Sequence, residues 1–314
     1  MTGKVVHTGQ AIVDLVMRVD ALPPPGGDVF ASDWAMQPGG GFNVMAAARR
    51  DGAPVLYTGG HGTGPFGTRV RAAMADEGID VLAPVTQGRD TGFCVALVDE
   101  AAERTFVSTL GAEADADLST LRRLDLAPPD VVYLSGYSLH HDTTREVLTR
   151  WLPSVDAGVR VVLDASPMIA KIDIGALWVA IRAATLWTLN ETEARVLLGR
   201  LCSTDPAESD AGEVAARLRS VLESRVLVRT GASGCWVAGE DADPVLVPGL
   251  DVDAVDTNGA GDAHTGVVCA SLCREEPLLD AVRRASVAAA IATTRRGPAT
   301  APVREETDRA LRAG

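Results

Sequence analysis

The sequence predicts an α/β protein with a mainly parallel central sheet flanked by helices and a small separate β-sheet. Three observations carry this. Short β-rich runs alternate with segments of helical spacing, the pattern of parallel strands joined by crossover helices. The β material at about residues 12–36 and 91–112 breaks that alternation and predicts the second sheet. No linker, repeat or low-complexity tract divides the 314 residues, so a single domain, 1–314, is expected.

The elements read in order. KVVHTGQAIVDLVMRV is a strand leading into a second strand. LPPPGGD (22–28) is a rigid turn within β material. NVMAAARRDG is a helix stopped by Gly52, APVLYTGG a strand and TRVRAAMADEG a helix. TGFCVALVDE and ERTFVSTL form a hairpin turning at Glu100–Ala102. Four β runs follow: DVVYLSG, RVVLDAS, ATLWTLN and SRVLVRTG. DTTREVLTRWLPSV, ALWVAIRA and GEVAARLRSVLE separate them with helical spacing. LCSTDPAESDAGE (201–213) reads as a polar surface loop.

Composition narrows the function classes. Apolar residues make up 46% of the chain, enough for a sizeable core. The net charge of −13 leaves no footprint for nucleic acid or an anionic membrane. Any phosphate-bearing ligand must therefore be held by local backbone amides. Five cysteines, with no CxxC pair, point to buried thiols in a reducing compartment. Cys269 and Cys273 share a helix face and could meet, although core packing is the simpler reading. No signal-peptide pattern opens the chain and charged residues interrupt every apolar run, so a cytoplasmic location is expected.

The most informative stretch is DTNGAGDAHTG (256–266). Val252–Val255 before it and Thr265 onward after it predict strand, glycine turn, helix. Gly259, Ala260 and Gly261 would then present free amides at a helix entrance, an arrangement that cradles a phosphate. Asp262 follows at once. It is either a first-turn acid that stabilises the helix dipole or a base that accepts a proton from an attacking hydroxyl.

DTNGAGDAHTG resembles the DTxGAGDxFxxG signature of the ribokinase (PfkB) family of sugar and nucleoside kinases. The resemblance implies a ribokinase-like fold, with Asp262 as catalytic base and Gly259, Ala260 and Gly261 as the anion hole. His264 departs from the family's usual Phe. GQAIVD (9–14) is similar to the family's first strand, which makes Asp14 a ligand of substrate hydroxyls. QPGGGFNVMAAARRDGA (37–53) resembles the family's first signature and implies substrate contacts from Gly39, Gly40, Gly41 and Asn43. Glycines let backbone approach a ligand, and an Asn amide can donate and accept at once. On the residues alone, Asn43 is equally a helix N-cap.

The resemblance covers nearly the whole chain. Residues 91–113 look like the family's lid hairpin, so the small sheet, from about 12–36 and 91–112, is expected to be a lid. TLNETEARVLLG (188–199) resembles the NxxE stretch, which places Asn190 near the phosphates and Glu193 near Mg²⁺ through water. VRTGASGCWV (228–237) resembles the ATP-side turn, with Gly231 and Gly234 at matching positions; Arg229 replaces a usual Thr and is a candidate phosphate contact. ASVAAAIATTRRGPATAP (285–302) resembles the adenine-side helix, with Ser286 where many members have Asn. The resemblance also implies a monovalent cation, K⁺, at Asp256, Asn258 and Gly297. Asp256 is otherwise a turn-forming Asx residue.

A rival motif is GTGPFG (62–67), which fits the GxGxxG dinucleotide fingerprint of an NAD-dependent oxidoreductase. The acid required at the end of the next strand is missing from VLAPVTQG, and the same stretch resembles the kinase family's GxxGxDxxG turn with Gly64 in place of Asp. No GxxxxGK[ST], HExxH or His/Cys cluster occurs. The expected function is ATP- and Mg²⁺-dependent phosphorylation of a primary hydroxyl of a sugar. A nucleoside kinase of the same fold is the alternative, with Phe42, Phe93 and Phe106 as candidate base platforms. A non-catalytic sensor would have no need of Asp262. Exposed lid edges predict a homodimer.

Overall fold

The computed structural model describes residues 3–101, 103–202, 209–240 and 243–313. Ala102, at the expected hairpin turn, and residues 203–208 of the expected surface loop lie outside them.

The chain opens with β1 (Val5–His7), β2 (Ala11–Arg18) and β3 (Asp33–Gly40), then α1 (Gly41–Arg50). Next come β4 (Val55–Tyr57), α2 (Pro65–Asp76), β5 (Asp80–Val81), β6 (Phe93–Val98) and β7 (Arg104–Ser108). The middle holds α3 (Leu118–Arg122), β8 (Val131–Ser135), α4 (Gly136–His140), α5 (Asp142–Trp151) and β9 (Arg160–Asp164). There follow α6 (Ile174–Ala183), β10 (Leu186–Asn190), α7 (Glu191–Cys202), α8 (Ala211–Leu222) and β11 (Arg225–Arg229). The last part has β12 (Cys235–Ala238), β13 (Val245–Val247), α9 (Ala260–Cys273), α10 (Leu278–Thr293) and α11 (Arg304–Ala313).

Two sheets result. The large one runs β13-β12-β11-β10-β9-β8-β1-β4-β5, parallel except where β12 pairs antiparallel with β11 and β13. Its central strands are buried on both faces, which explains their continuous apolar runs. Val131 and Tyr133 of β8 face the core shared with α1, α9 and α10; Val132 and Leu134 face the core shared with α5 to α8. The small sheet runs β3-β2-β6-β7, with β2 parallel to β6 and the outer pairs antiparallel. It is built from the two stretches that broke the alternation.

One expected element does not form. Residues 252–255 are not a strand; the chain before the glycine turn is irregular. The amides of Val255 and Asp256 both bond to the Thr293 carbonyl at the end of α10, at 2.7 and 2.9 Å, so the segment is fixed to a helix end and not to a sheet edge. All five cysteines are free thiols.

Candidate active site

Strand parity builds the site. On β9, β10 and β11, Val162, Leu186 and Leu227 face the α9 side of the sheet. Two residues on, Asp164, Thr188 and Arg229 emerge on that same side at the carboxyl ends of the strands. Ligands bind at this edge of an open parallel sheet. Arg229 Nη1 donates to Thr188 Oγ1 at 2.6 Å, Thr265 Oγ1 at 2.9 Å and Asp164 Oδ2 at 3.1 Å. Its Nη2 lies 3.9 Å from Glu193 Oε2. A Cβ built on Gly261 would meet the guanidinium at 3.6 Å, so a positive charge stands directly behind the glycine turn.

The turn itself begins at Gly259, the N-cap of α9, at φ 75°. A side chain there would overlap the Pro298 carbonyl, so glycine is required by conformation and by space. Ala260, Gly261 and Asp262 form the first helical turn; the amides of Gly261 and Asp262 have no backbone acceptor among the described residues, whereas the Ala260 amide, expected to be free, donates to the Thr257 carbonyl at 3.3 Å. Gly266, one turn further, lets the backbone of α1 approach where a side chain would overlap the Val44 carbonyl.

That close approach brings Asn43 to Asp262. Asn43 is the third residue of α1, whose N-cap is Gly40, so it does not cap the helix. Its Nδ2 instead donates to Asp262 Oδ2 at 2.8 Å. Its Oδ1 is buried and has no hydrogen-bond partner among the described residues. Burial pushes the Asp262 carboxyl up to about 7; the Asn43 hydrogen bond opposes this, and the Asp164 charge adds to it.

Asp14 lies on β2, and burial raises its carboxyl to about 6. Any side chain at Gly39 would overlap the Asp14 carboxylate, and any at Gly41 would overlap the His7 ring. Gly40 takes φ 59°, which turns the chain from β3 into α1. His7 was not singled out from the sequence. It stacks on Tyr133 with centroids 4.6 Å apart, and its Nδ1 accepts from the Gly9 amide at 3.1 Å. Burial lowers it to about 3, so it is neutral.

On the other side, Asn190 and Glu193 cap α7 reciprocally. The Glu193 amide donates to Asn190 Oδ1 and the Asn190 amide to Glu193 Oε2, both at 2.8 Å. This is a capping box. Burial raises the Glu193 carboxyl, and the neighbouring Asp164 charge adds to the rise. No group of three or more His, Cys, Asp or Glu side chains that could hold a metal ion occurs among the described residues. Glu193 Oε1 takes no hydrogen bond among them and is the atom that fits a hydrated cation. Gly231, at φ 63°, faces open space, as an ATP-side glycine would. Gly234, at φ 109°, is needed for packing, because a side chain would overlap the Val247 carbonyl. Ser286 is buried on α10, and its hydroxyl has no hydrogen-bond partner among the described residues. Arg229, the candidate phosphate contact, is instead held by Asp164, Thr188 and Thr265.

Asp256 forms an Asx turn with the Asn258 amide (3.0 Å), and its Oδ2 accepts from the Gly297 amide at 3.1 Å. Arg104 of the small sheet donates to its Oδ1 at 2.6 Å. Burial alone would raise this carboxyl; the bonds from Asn258, Gly297 and Arg104 outweigh it and hold the group low. These neighbours are N–H donors, and the carboxylate already has a counter-charge. It does not fit the role of a K⁺ ligand implied by the resemblance.

The rival motif is closed off. The Asp90 carboxylate accepts from the amides of Phe66 (3.1 Å) and Gly67 (2.8 Å), the first-turn donors of α2 that a pyrophosphate would need. His264 is buried, with neither ring nitrogen bonded among the described residues, and burial lowers it to about 3. It behaves as a neutral packing residue. Asp164, Thr188 and Thr265 were missed; the only local signal was an acid closing the run RVVLD.

A parallel sheet with a glycine turn, free amides and a half-buried carboxylate at its carboxyl edge defines an ATP-dependent phosphotransferase of ribokinase-like fold. The chain belongs to the pfkB family: the model of the pfkB family carbohydrate kinases matches residues 2–305. It is a sugar or nucleoside kinase of that family. An uncharacterized sugar kinase, YegV of Escherichia coli K12, is 31% identical over 303 residues, covering 96% of this chain and 92% of that protein. Ribokinase from Thermotoga maritima superposes with a TM-score of 0.82 at 21% identity, covering 99% of this chain and 100% of that one. A Burkholderia thailandensis nucleoside kinase, solved with inosine, gives 0.78 at 18%, covering 99% and 96%. No helix among the described residues is long and apolar enough to cross a membrane.

Proposed function

We propose that the chain transfers the γ-phosphoryl group of ATP to a primary hydroxyl of a sugar, with Asp262 as general base. The observation that carries this is Asp262 itself. It stands at a helix entrance between free amides, oriented by Asn43 and with its carboxyl raised to about 7, the range suited to a base at neutral pH. Asp14 holds acceptor hydroxyls over Gly39, and Asn43 Oδ1 accepts from another. The attacking hydroxyl loses its proton to Asp262 Oδ1 or Oδ2 as its oxygen moves in line towards phosphorus. The amides of Gly261 and Asp262, backed by Arg229, stabilise charge on the transferring group. Mg²⁺, when bound with ATP, neutralises the phosphates; Glu193 Oε1 would reach it through water.

The small sheet acts as a lid, and the whole chain works as one kinase domain. Arg104 on Asp256 links that lid to the loop before the glycine turn, and a closed lid excludes water that would otherwise compete for phosphoryl transfer. Met17, Trp34 and Val107 are exposed on the small sheet, where a second lid would cover them in a homodimer. A coupled ATP-consumption screen of pentoses, hexoses and nucleosides tests the assignment. Acceptor-dependent ADP release with a sugar supports it; release with nucleosides alone would transfer the assignment to the nucleoside class.

A further inference from the structure

We infer that the outer end of the acceptor cleft is a subsite for an anionic group, so that the preferred acceptor is a polyhydroxylated compound ending in a carboxylate or phosphate. This rests on the reading of Asp14 and Asp262 as the acceptor and base positions.

The argument begins with the period of a strand. Asp14, Val16 and Arg18 alternate on β2 and share one face of the small sheet. Their register partners are Gln37, Ala35 and Asp33 on β3, and Cys94, Ala96 and Val98 on β6. Arg104 on β7 pairs with Val98. Moving outward from Asp14, the face is carboxylate, then small apolar residues, then arginine. Four residues of extended chain place Arg18 about 13 Å beyond Asp14.

A cavity of about 210 Å³ lies over this outer part, between the small sheet and the loops around Asp256 and Gly297. Val16, Ala35 and Ala96 leave the room, and Arg18, Arg104 and Arg296 line it. Two carboxylates also line it, Asp33 and Asp256. Asp256 is occupied by Arg104, Asn258 and Gly297. Asp33 Oδ1 accepts from the Trp34 amide at 2.9 Å. Neither Arg18 nor Arg296 has an acidic partner among the described residues. Three guanidinium groups thus face two carboxylates, one of them neutralised, in a chain whose net charge is −13.

Guanidinium groups bind carboxylate and phosphate through paired, charge-assisted hydrogen bonds. An acceptor that lies along the sheet face would present hydroxyls to Asp14 and its anionic end to Arg18 and Arg296. Arg104, already fixed by Asp256, would set the depth of that end.

The test compares matched acceptors: neutral aldoses, the corresponding sugar acids and the terminal phosphate esters. Turnover is read by coupled ATP consumption, and binding by calorimetry without ATP. The expected result is a kcat/KM for one anionic class at least roughly tenfold above that of its neutral counterpart, the scale of one charge-assisted contact. Whether acid or ester gains identifies the group. Arg18→Gln should abolish that preference, and Arg296→Gln, at an exposed position, should reduce it. Phosphorylation of neutral sugars with the anionic forms refused would overturn the subsite and leave the kinase assignment standing. Arginine-dependent binding of an acid without any turnover would uphold the subsite and remove the reading of Asp14 and Asp262 as the acceptor and base positions. Equal preferences in wild type and both variants would also overturn it.

Discussion

Asn43 and Asp262, 219 residues apart, meet at 2.8 Å where α1 crosses α9. The contact depends on Gly266, which lets the two helices approach. The Asn43 amide lowers a carboxyl that burial raises. Replacing Asn43 by Leu removes that opposing bond, so the carboxyl should rise further. The ascending limb of the pH–rate profile is then expected to move to higher pH. An unmoved limb would separate Asn43 from the base.

The wild-type profile follows from two raised carboxyls. Asp262 must be ionised to accept a proton, so log kcat/KM should climb as pH rises towards about 7 and then level. Asp14 must be ionised to hold hydroxyls strongly, and its carboxyl is raised to about 6. Below that pH the slope should steepen as acceptor binding weakens. Steady-state kinetics from acid to neutral pH check both limbs; a flat profile would contradict both.

Gly39 carries a geometric prediction. Gly39→Ala introduces a methyl group into the space of the Asp14 carboxylate. KM for the acceptor is expected to rise sharply while KM for ATP stays near wild type, because the clash lies on the acceptor side alone. Equal loss on both substrates would place Asp14 elsewhere in the mechanism.

Arg229 is expected to matter for stability as well as rate. It is the counter-charge of Asp164 and lies beside Glu193, and all three are largely buried. Arg229→Met strands those acids, an effect of about 3–5 kcal/mol for a broken buried pair. Urea unfolding measures it; a change within error would remove Arg229 from the framework of the site.

K⁺ offers a contrast with the family pattern. Arg104 already neutralises Asp256, so exchanging K⁺ for tetramethylammonium should leave turnover unchanged. In Arg104→Gln the Asp256 charge is released, and K⁺ should begin to stimulate. Stimulation of the wild type would show that the Arg104 contact does not stand in for the cation.

The parts of this site visible in the sequence were the local ones. Asp262 and its glycines, Asn190 with Glu193, and the Gly39–Gly41 run each sit within a few residues of a helix entrance, where spacing alone carries the geometry. The alternation of β runs and helical segments gave the large sheet for the same reason. What spacing could not show is contact across the fold. Arg229 and Asp164 are 65 residues apart and meet only because parallel strands align their ends. Arg104 reaches Asp256 across 152 residues. The false strand at 252–255 has a related cause: its valines look β-like, yet the amides of Val255 and Asp256 found their acceptor at the end of α10.

The most direct test of Asp262 as base is acceptor-dependent ADP release by Asp262→Asn, with ATP and acceptor binding measured alongside. Asparagine keeps the shape and loses the proton-accepting charge. The account requires binding near wild type and a fall in kcat of roughly 10²–10⁴, the usual contribution of a general base. Turnover near wild type in that variant would contradict it.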